Sequence, residues 1–173
     1  MGELELQPVP PAAARTTLSQ IMTTLDVNLL GTVHGGVVMR LVDSVAGAAA
    51  GRHNRAPAVT VSMDEMVFLD PVRVGDLVHV HGQVNWAGRT SMEIGVRVTA
   101  ERWNETAPPL HVASAYLVFV GVDDDGCPRR VPPVLPENAD DRRRFAEAEI
   151  RRQHRLSRRD EIERLRDSSS HHP

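Results

Sequence analysis

The chain contains no lysine, so every permanently cationic side chain is an arginine. A phosphate group would have to be met by Arg, by His or by backbone N–H groups. Cysteine is nearly absent: Cys127 stands alone, which excludes an intrachain disulfide and argues against a thiolate metal site. Aromatic residues make up 3% of the chain. Val, Leu, Ile, Ala and Met must therefore fill the core, and a base-stacking nucleic-acid surface lacks its material. The formal net charge of −3, with no strongly basic half, points the same way. No apolar run approaches the ~20 residues of a membrane span. The start, Met1-Gly2-Glu3-Leu4-Glu5, is acidic and not expected to be a signal peptide. A reducing cytoplasm is the expected compartment.

What is present suits one domain with an extension, 173 residues of which 41% are apolar. Residues 1–12, with Pro8, Pro10 and Pro11, read as a flexible arm. Residues 13–25 read as a strand and Asp26–Gly31 as a loop. From Val33 to Ala50, apolar residues at 37, 38, 41, 42, 45, 48 and 49 follow helical spacing. That helix is expected to be buried on several faces. A loop over Arg52–Pro57 precedes alternating segments at 59–64, 78–83, 92–99 and 112–120. Turns are expected at Gly75-Asp76 and Ala87-Gly88-Arg89. Asp123-Asp124-Asp125-Gly126 is another turn, lacking the spacing of a calcium loop. Consecutive strands with short turns imply an antiparallel sheet, here wrapped around the one long helix, an α+β architecture over residues 13–136. Residues 137–166 read as a charged helical extension with a thin apolar stripe (Phe145, Ile150, Leu156, Ile162, Leu165). Residues 167–173, including His171-His172, read as a disordered tail rather than a metal site.

Chemistry concentrates between Asp26 and Asp43. A buried helix opening at His34-Gly35-Gly36 presents unpaired N–H groups, and its dipole favours negative charge there. A carbonyl oxygen becoming an oxyanion would be stabilised at that point. Asp43, seven residues after Gly36, returns to about the same face two turns along. A carboxylate in an apolar helix is costly unless paired, exposed or functional. Asn28, in the preceding loop, carries an amide able to orient a water or a carbonyl. Taken alone, Asp43 also fits a solvated helix position and Asn28 a simple turn residue.

The ordered series Asn28…Gly31…Val33-His34-Gly35-Gly36…Leu41-Val42-Asp43, Val59-Thr60-Val61-Ser62-Met63-Asp64, Phe68-Leu69-Asp70-Pro71, Gly88-Arg89-Thr90-Ser91 and Ala113–Val120 closely resembles the acyl-CoA hydrolase branch of the hotdog-fold thioesterases. The resemblance covers roughly residues 13–150. It implies a thioesterase hydrolysing acyl-CoA to fatty acid and coenzyme A, with Asn28 and Asp43 as the catalytic pair. It further implies that each site takes one member of that pair from each subunit of a homodimer, and that dimers assemble into hexamers. Arg89, Thr90 and Ser91 are implied to lie near the coenzyme A portion. No metal or resident cofactor is expected, because a thiolate leaves readily. Two alternatives remain open on sequence: an acyl-thioester dehydratase or hydratase built on His34 and Asp43, and a non-catalytic acyl-CoA-binding module. Acyl-chain length is not readable, although Met39, Val42 and Met63 are candidates for a tunnel wall.

Overall fold

A computed structural model describes residues 6–169. The chain runs α1 (Pro11–Ala14), β1 (Thr16–Ile21), a 3-10 turn (Thr24–Asp26), α2 (Gly35–Asn54), β2 (Ala58–Phe68), β3 (Leu77–Ala87), β4 (Ser91–Glu101), β5 (Leu110–Gly121) and α3 (Ala139–Ser169). The five strands form one sheet in the order β1-β3-β4-β5-β2, antiparallel at every step. This is the α+β architecture expected, one long helix held against a sheet.

Several boundaries differ from the sequence reading. The strand expected over 13–25 is confined to 16–21, because Pro11 starts a helical turn ahead of it and Thr23 ends it. Thr23 and Asp26 bond reciprocally in a capping box that forces the 3-10 turn. The arm read over 1–12 is tied down from Val9 onward: Val9 pairs with Val134, and Pro11 and Ala14 are buried. Residues 1–5 lie outside the described residues. The central helix passes its expected end at Ala50 and takes in Gly51 and Arg52–Asn54, the latter polar residues expected to open the loop 52–57. Burial explains it: His53 Nε2 donates to the Pro132 carbonyl at 2.8 Å, and Asn54 Nδ2 donates to the carbonyls of Ala56 and Pro57. Arg55, in the left-handed region at φ 51°, ends the helix.

α2 buries one stripe, Val38, Leu41, Val42, Val45, Ala46, Ala49 and Ala50, against the sheet. Gly82 sets the closeness of that contact, since a Cβ there would lie 2.7 Å from Val45 Cγ1. The expectation that α2 is buried on several faces fails in the single chain: Gly36, Met39, Arg40, Asp43, Ser44 and Ala48 are exposed. So are Val59, Val61, Val67, Phe68 and Leu69 along β2 and just after it. β2 is an edge strand, bonded only to β5.

α3 lies over the other face of the sheet. Gly82 and Gln83 point to opposite faces by strand alternation; Gly82 meets α2, and Gln83 bonds Asp141 of α3. The helix continues through residues expected to be tail, to Ser169, and His171-His172 lie outside the described residues. At the far end of the sheet, the turn after β5 closes with Gly126 at φ 77° and with the Cys127 N–H on Asp123 Oδ1; Cys127 is exposed there.

Candidate active site

Asn28 sits at the head of a tight loop. Its N–H bonds the Thr32 carbonyl at 2.8 Å, and Gly31, at φ 77°, turns the chain back. The side chain is held from both ends: Oδ1 accepts from the Leu30 and Thr32 N–H groups at 2.8 and 3.3 Å, and Nδ2 donates to Thr32 Oγ1 at 2.9 Å. An amide nitrogen carries two hydrogens, so one remains to point elsewhere. Leu29 and Leu30, at the tip of this loop, are almost wholly exposed.

His34 is the N-cap of α2. Its N–H bonds the Asp26 carbonyl at 2.7 Å, and its Nδ1 accepts from the Gly36 N–H at 2.9 Å. In that bond Nδ1 is the acceptor, which leaves Nε2 as the ring's donor. It also corrects the expectation of two free N–H groups at the helix start: Gly36 is capped, whereas the Gly35 N–H has no acceptor among the described residues. Beside Gly35 opens a cavity of about 370 Å³ lined mainly by apolar groups, among them Val33, Val38, Phe68 and Val72. The tunnel wall expected from sequence is partly displaced. Val42 is sealed in the core, while Met39 and Met63 stand on the exposed side.

Asp43 is exposed on the uncovered face of α2, and its Oδ1 accepts from Thr60 Oγ1 of β2 at 2.7 Å. The sequence reading missed Thr60. Strand alternation gave it no distinction from its neighbours, and only the pairing of β2 beside α2 selects it. Asp43 stands eight residues into the helix from Gly35, about 12 Å along the axis at 1.5 Å per residue. Asn28 lies before the helix begins. One chain holds each of the two side chains in its own bonded frame, and no hydrogen bond joins them.

Arg89, Thr90 and Ser91 form the β3–β4 turn, where the Gly88 N–H bonds the Ser91 carbonyl at 2.8 Å. Thr90 and Arg89 offer their carbonyls to the Gly121 and Val131 N–H groups. Arg89 lines a second cavity of about 370 Å³ with Gln7, Gly88, Arg130 and Pro133. Arg130, not singled out from sequence, adds a second cationic side chain there. Among the described residues, no three His, Cys, Asp or Glu side chains gather as metal ligands would, and no helix is long and apolar enough to cross a membrane.

Residues 30–106 match the thioesterase superfamily model. The chain is similar to the cytosolic acyl coenzyme A thioester hydrolase of Mus musculus, at 34% identity over 149 residues, 86% of this chain. It spans only 39% of that relative's length. Among solved structures it is similar to an apo hexameric acyl-CoA thioesterase, with 33% identity, TM-score 0.85, and coverage of 88% of this chain and 97% of that one. It is also similar to the acyl-CoA hydrolase of Staphylococcus aureus in complex with butyryl coenzyme A, coenzyme A and coenzyme A disulfide. That match has 29% identity, TM-score 0.85, and coverage of 94% of this chain and 98% of that one. The Staphylococcus aureus hydrolase has also been solved with an aspartate, an asparagine and a threonine each replaced by alanine.

Proposed function

Because the chain belongs to the hotdog-fold acyl-CoA thioester hydrolases of the thioesterase superfamily, we propose that it hydrolyses acyl-CoA to a carboxylic acid and coenzyme A, at sites completed by a second copy of itself. The observation that carries this reading is that Asn28 and Asp43 are held in separate hydrogen-bond frames that share no bond, beside exposed apolar side chains. Each is positioned by dedicated hydrogen bonds, Asp43 faces outward, and the apolar surface around them is uncovered. A two-fold partner that covers this surface sets the Asn28 of one protomer opposite the Asp43 of the other, an isologous arrangement giving two equal sites. The aspartate, asparagine and threonine replaced in the Staphylococcus aureus hydrolase are the same three residue types as Asp43, Asn28 and Thr60, which supports the assignment.

In this mechanism the acyl group enters the apolar cavity beside Gly35, and the thioester oxygen accepts the Gly35 N–H at the positive end of α2. Thr60 holds Asp43 Oδ1, leaving Oδ2 to take a proton from water as the water oxygen bonds to the carbonyl carbon. Asn28 orients the water through its remaining Nδ2 hydrogen. The tetrahedral oxyanion then collapses and the C–S bond breaks. Coenzyme A leaves as a thiolate that takes up the proton held by Asp43. A thiolate is a good leaving group, so the reading needs no metal or resident cofactor. Arg89, Thr90 and Ser91 would lie along the coenzyme A portion, with Arg89 on a phosphate. Assembly of dimers into a hexamer and a cytoplasmic location complete the proposal, on the model of the similar hexameric and cytosolic relatives.

The test is free-thiol release from acyl-CoAs of short to long chain, with wild type beside Asp43→Asn. The expected result is hydrolysis by wild type and a loss of about 10²-fold or more in kcat for the variant, the scale of general-base catalysis. Full activity in Asp43→Asn, or no thiol from any chain length with folded, assembled wild type, overturns the proposal. In the latter case the dehydratase and binding-module readings take its place.

A further inference from the structure

The outer helix does not stop where the sheet does. Its anchors step across the strands in their order in the sheet. Asp141 reaches Gln83 of β3, Arg151 holds Glu93 of β4 and lies over Tyr116 of β5, and Arg155 pairs with Asp64 of β2. β2 is the edge, so Arg155 marks the point at which α3 leaves its own sheet. Residues 156–169 continue as helix, about 21 Å at 1.5 Å per residue. None of residues 156–168 is buried, and Ile162 and Leu165 among them are 41% and 63% exposed. A helical segment of this length is marginal by itself and is stabilised mainly by packing. In the single chain the overhang lacks that support.

The side of α3 turned toward β2 is open as well. A groove of about 390 Å³ separates the helix from Asp64 and Glu65, and Ile150, His154 and Arg158 line it at four-residue steps. Glu161 and Leu165 continue the same helix face at steps of three and four. Charge divides along its length. Residues 150–159 hold five arginines and no acid, whereas residues 160–167 hold Asp160, Glu161, Glu163 and Asp167 against Arg164 and Arg166. Arg159 is engaged within the helix by Asp160 and Glu163. Arg158 and Glu161 are exposed and have no hydrogen-bond or ion-pair partner among the described residues.

We infer that this face binds the α3 of a second copy. The two helices lie antiparallel, with Arg158 of each against Glu161 of the other and Leu165 of each entering the groove beside the other's His154. A two-fold axis that continues the sheet through β2 turns one overhang back along the other and lays each basic stretch on an acidic one. The contact also takes Ile162 and Leu165 out of water. This pairing rests on the dimer proposed above and adds to it a band of contact on the outer face of the sheet.

Charge reversal in the full chain tests it, with dissociation on dilution followed by sedimentation velocity. Arg158→Glu and Glu161→Arg each set like charges opposite one another twice per dimer. Each variant is expected to dissociate at about tenfold higher concentration than wild type. In a mixed dimer of the two variants, opposite charges meet at both contacts, so an equimolar mixture is expected to recover the wild-type midpoint. A contact within one chain gains nothing from mixing. Wild-type midpoints in both single variants, or a mixture no tighter than its components, overturn the pairing. Thiol release from acyl-CoA keeps the two readings apart. Hydrolysis by wild type with insensitive variants refutes the pairing alone, and recovery on mixing without any hydrolysis refutes the thioesterase alone.

Discussion

Thr60 and Asp43 meet through one hydrogen bond between β2 and α2, and that bond is the most exposed to test of all the contacts around the candidate site. Thr60→Val keeps the shape of the side chain and removes the donor. The bond is solvent-exposed, so it contributes little to folding, and kcat is expected to fall about tenfold with little change in unfolding temperature. Steady-state kinetics beside a melting curve measures both. Asn28 and Asp43 were legible because glycines, a helix start and a lone carboxylate gather in one short stretch. Thr60 was not, because it is seventeen residues from Asp43 and its selection depends on which strand lies beside which helix. His53 was equally opaque: in sequence it is a polar residue near a helix end, yet in the fold it is fully buried, with Nδ1 unpartnered and Nε2 on the Pro132 carbonyl. Burial lowers its pKa from the ordinary imidazole value, 6.5. The folded state therefore prefers neutral His53. Its contribution to stability is complete above 6.5 and is lost as pH falls below that value toward the lowered pKa of the folded state. Urea midpoints at pH 7.5 and 5.5 are expected to differ more in wild type than in His53→Gln, which can still donate to Pro132.

At the scale of elements, α3 shows how a charged helix can be docked without a wide apolar stripe. The stripe expected from sequence is only partly used: Phe145 packs against the core, but Ile150, Ile162 and Leu165 are exposed. Polar anchors do much of the work. Arg151 grips Glu93, which is 2% exposed, at 2.7 Å and lies 3.6 Å over the Tyr116 ring; Arg155 pairs with Asp64; Asp141, capped by Asn138, reaches Gln83. Such anchors leave no trace in hydrophobic periodicity, so the helix could be read from sequence and its docking could not. Removing one partner of a buried pair strands the other. Arg151→Leu is accordingly expected to cost about 3 kcal/mol, read by chemical denaturation. Ending the chain after Arg159 removes, among the residues whose burial is described, half-buried Asp160 and the exposed residues 161–168, and is expected to change the stability of the single protomer by less than about 0.5 kcal/mol.

On the scale of the whole molecule, the single chain leaves apolar side chains bare on β2, on the loop tip at Leu29-Leu30 and around the start of α2. A contiguous patch of this kind marks an interaction surface, and a bare edge strand invites pairing. Val61→Glu places a charge in its midst, and assembly measured by light scattering is expected to fall together with thioester hydrolysis. A stronger consequence follows from a site that takes one residue from each protomer. Asn28→Ala and Asp43→Ala chains, each inactive alone, are expected to regain activity when co-expressed, because about half of the dimers are mixed and each mixed dimer holds one intact site of two, about a quarter of the wild-type level. Recovery of none would place both residues of a working site in one chain. The sheet and the central helix were legible from alternation and helical spacing. The open face was not, because valines such as Val59 and Val61 read as core whether their neighbour belongs to the same chain or to another.

The turn that closes the far end of the sheet presents the protein's single sulfhydryl to solvent. A chromogenic disulfide added to follow coenzyme A release will therefore meet one equivalent of enzyme thiol per chain before any turnover. Cys127→Ser removes that background. The same solitary handle, carrying one dye per protomer, lets stepwise photobleaching count the copies in an assembly directly.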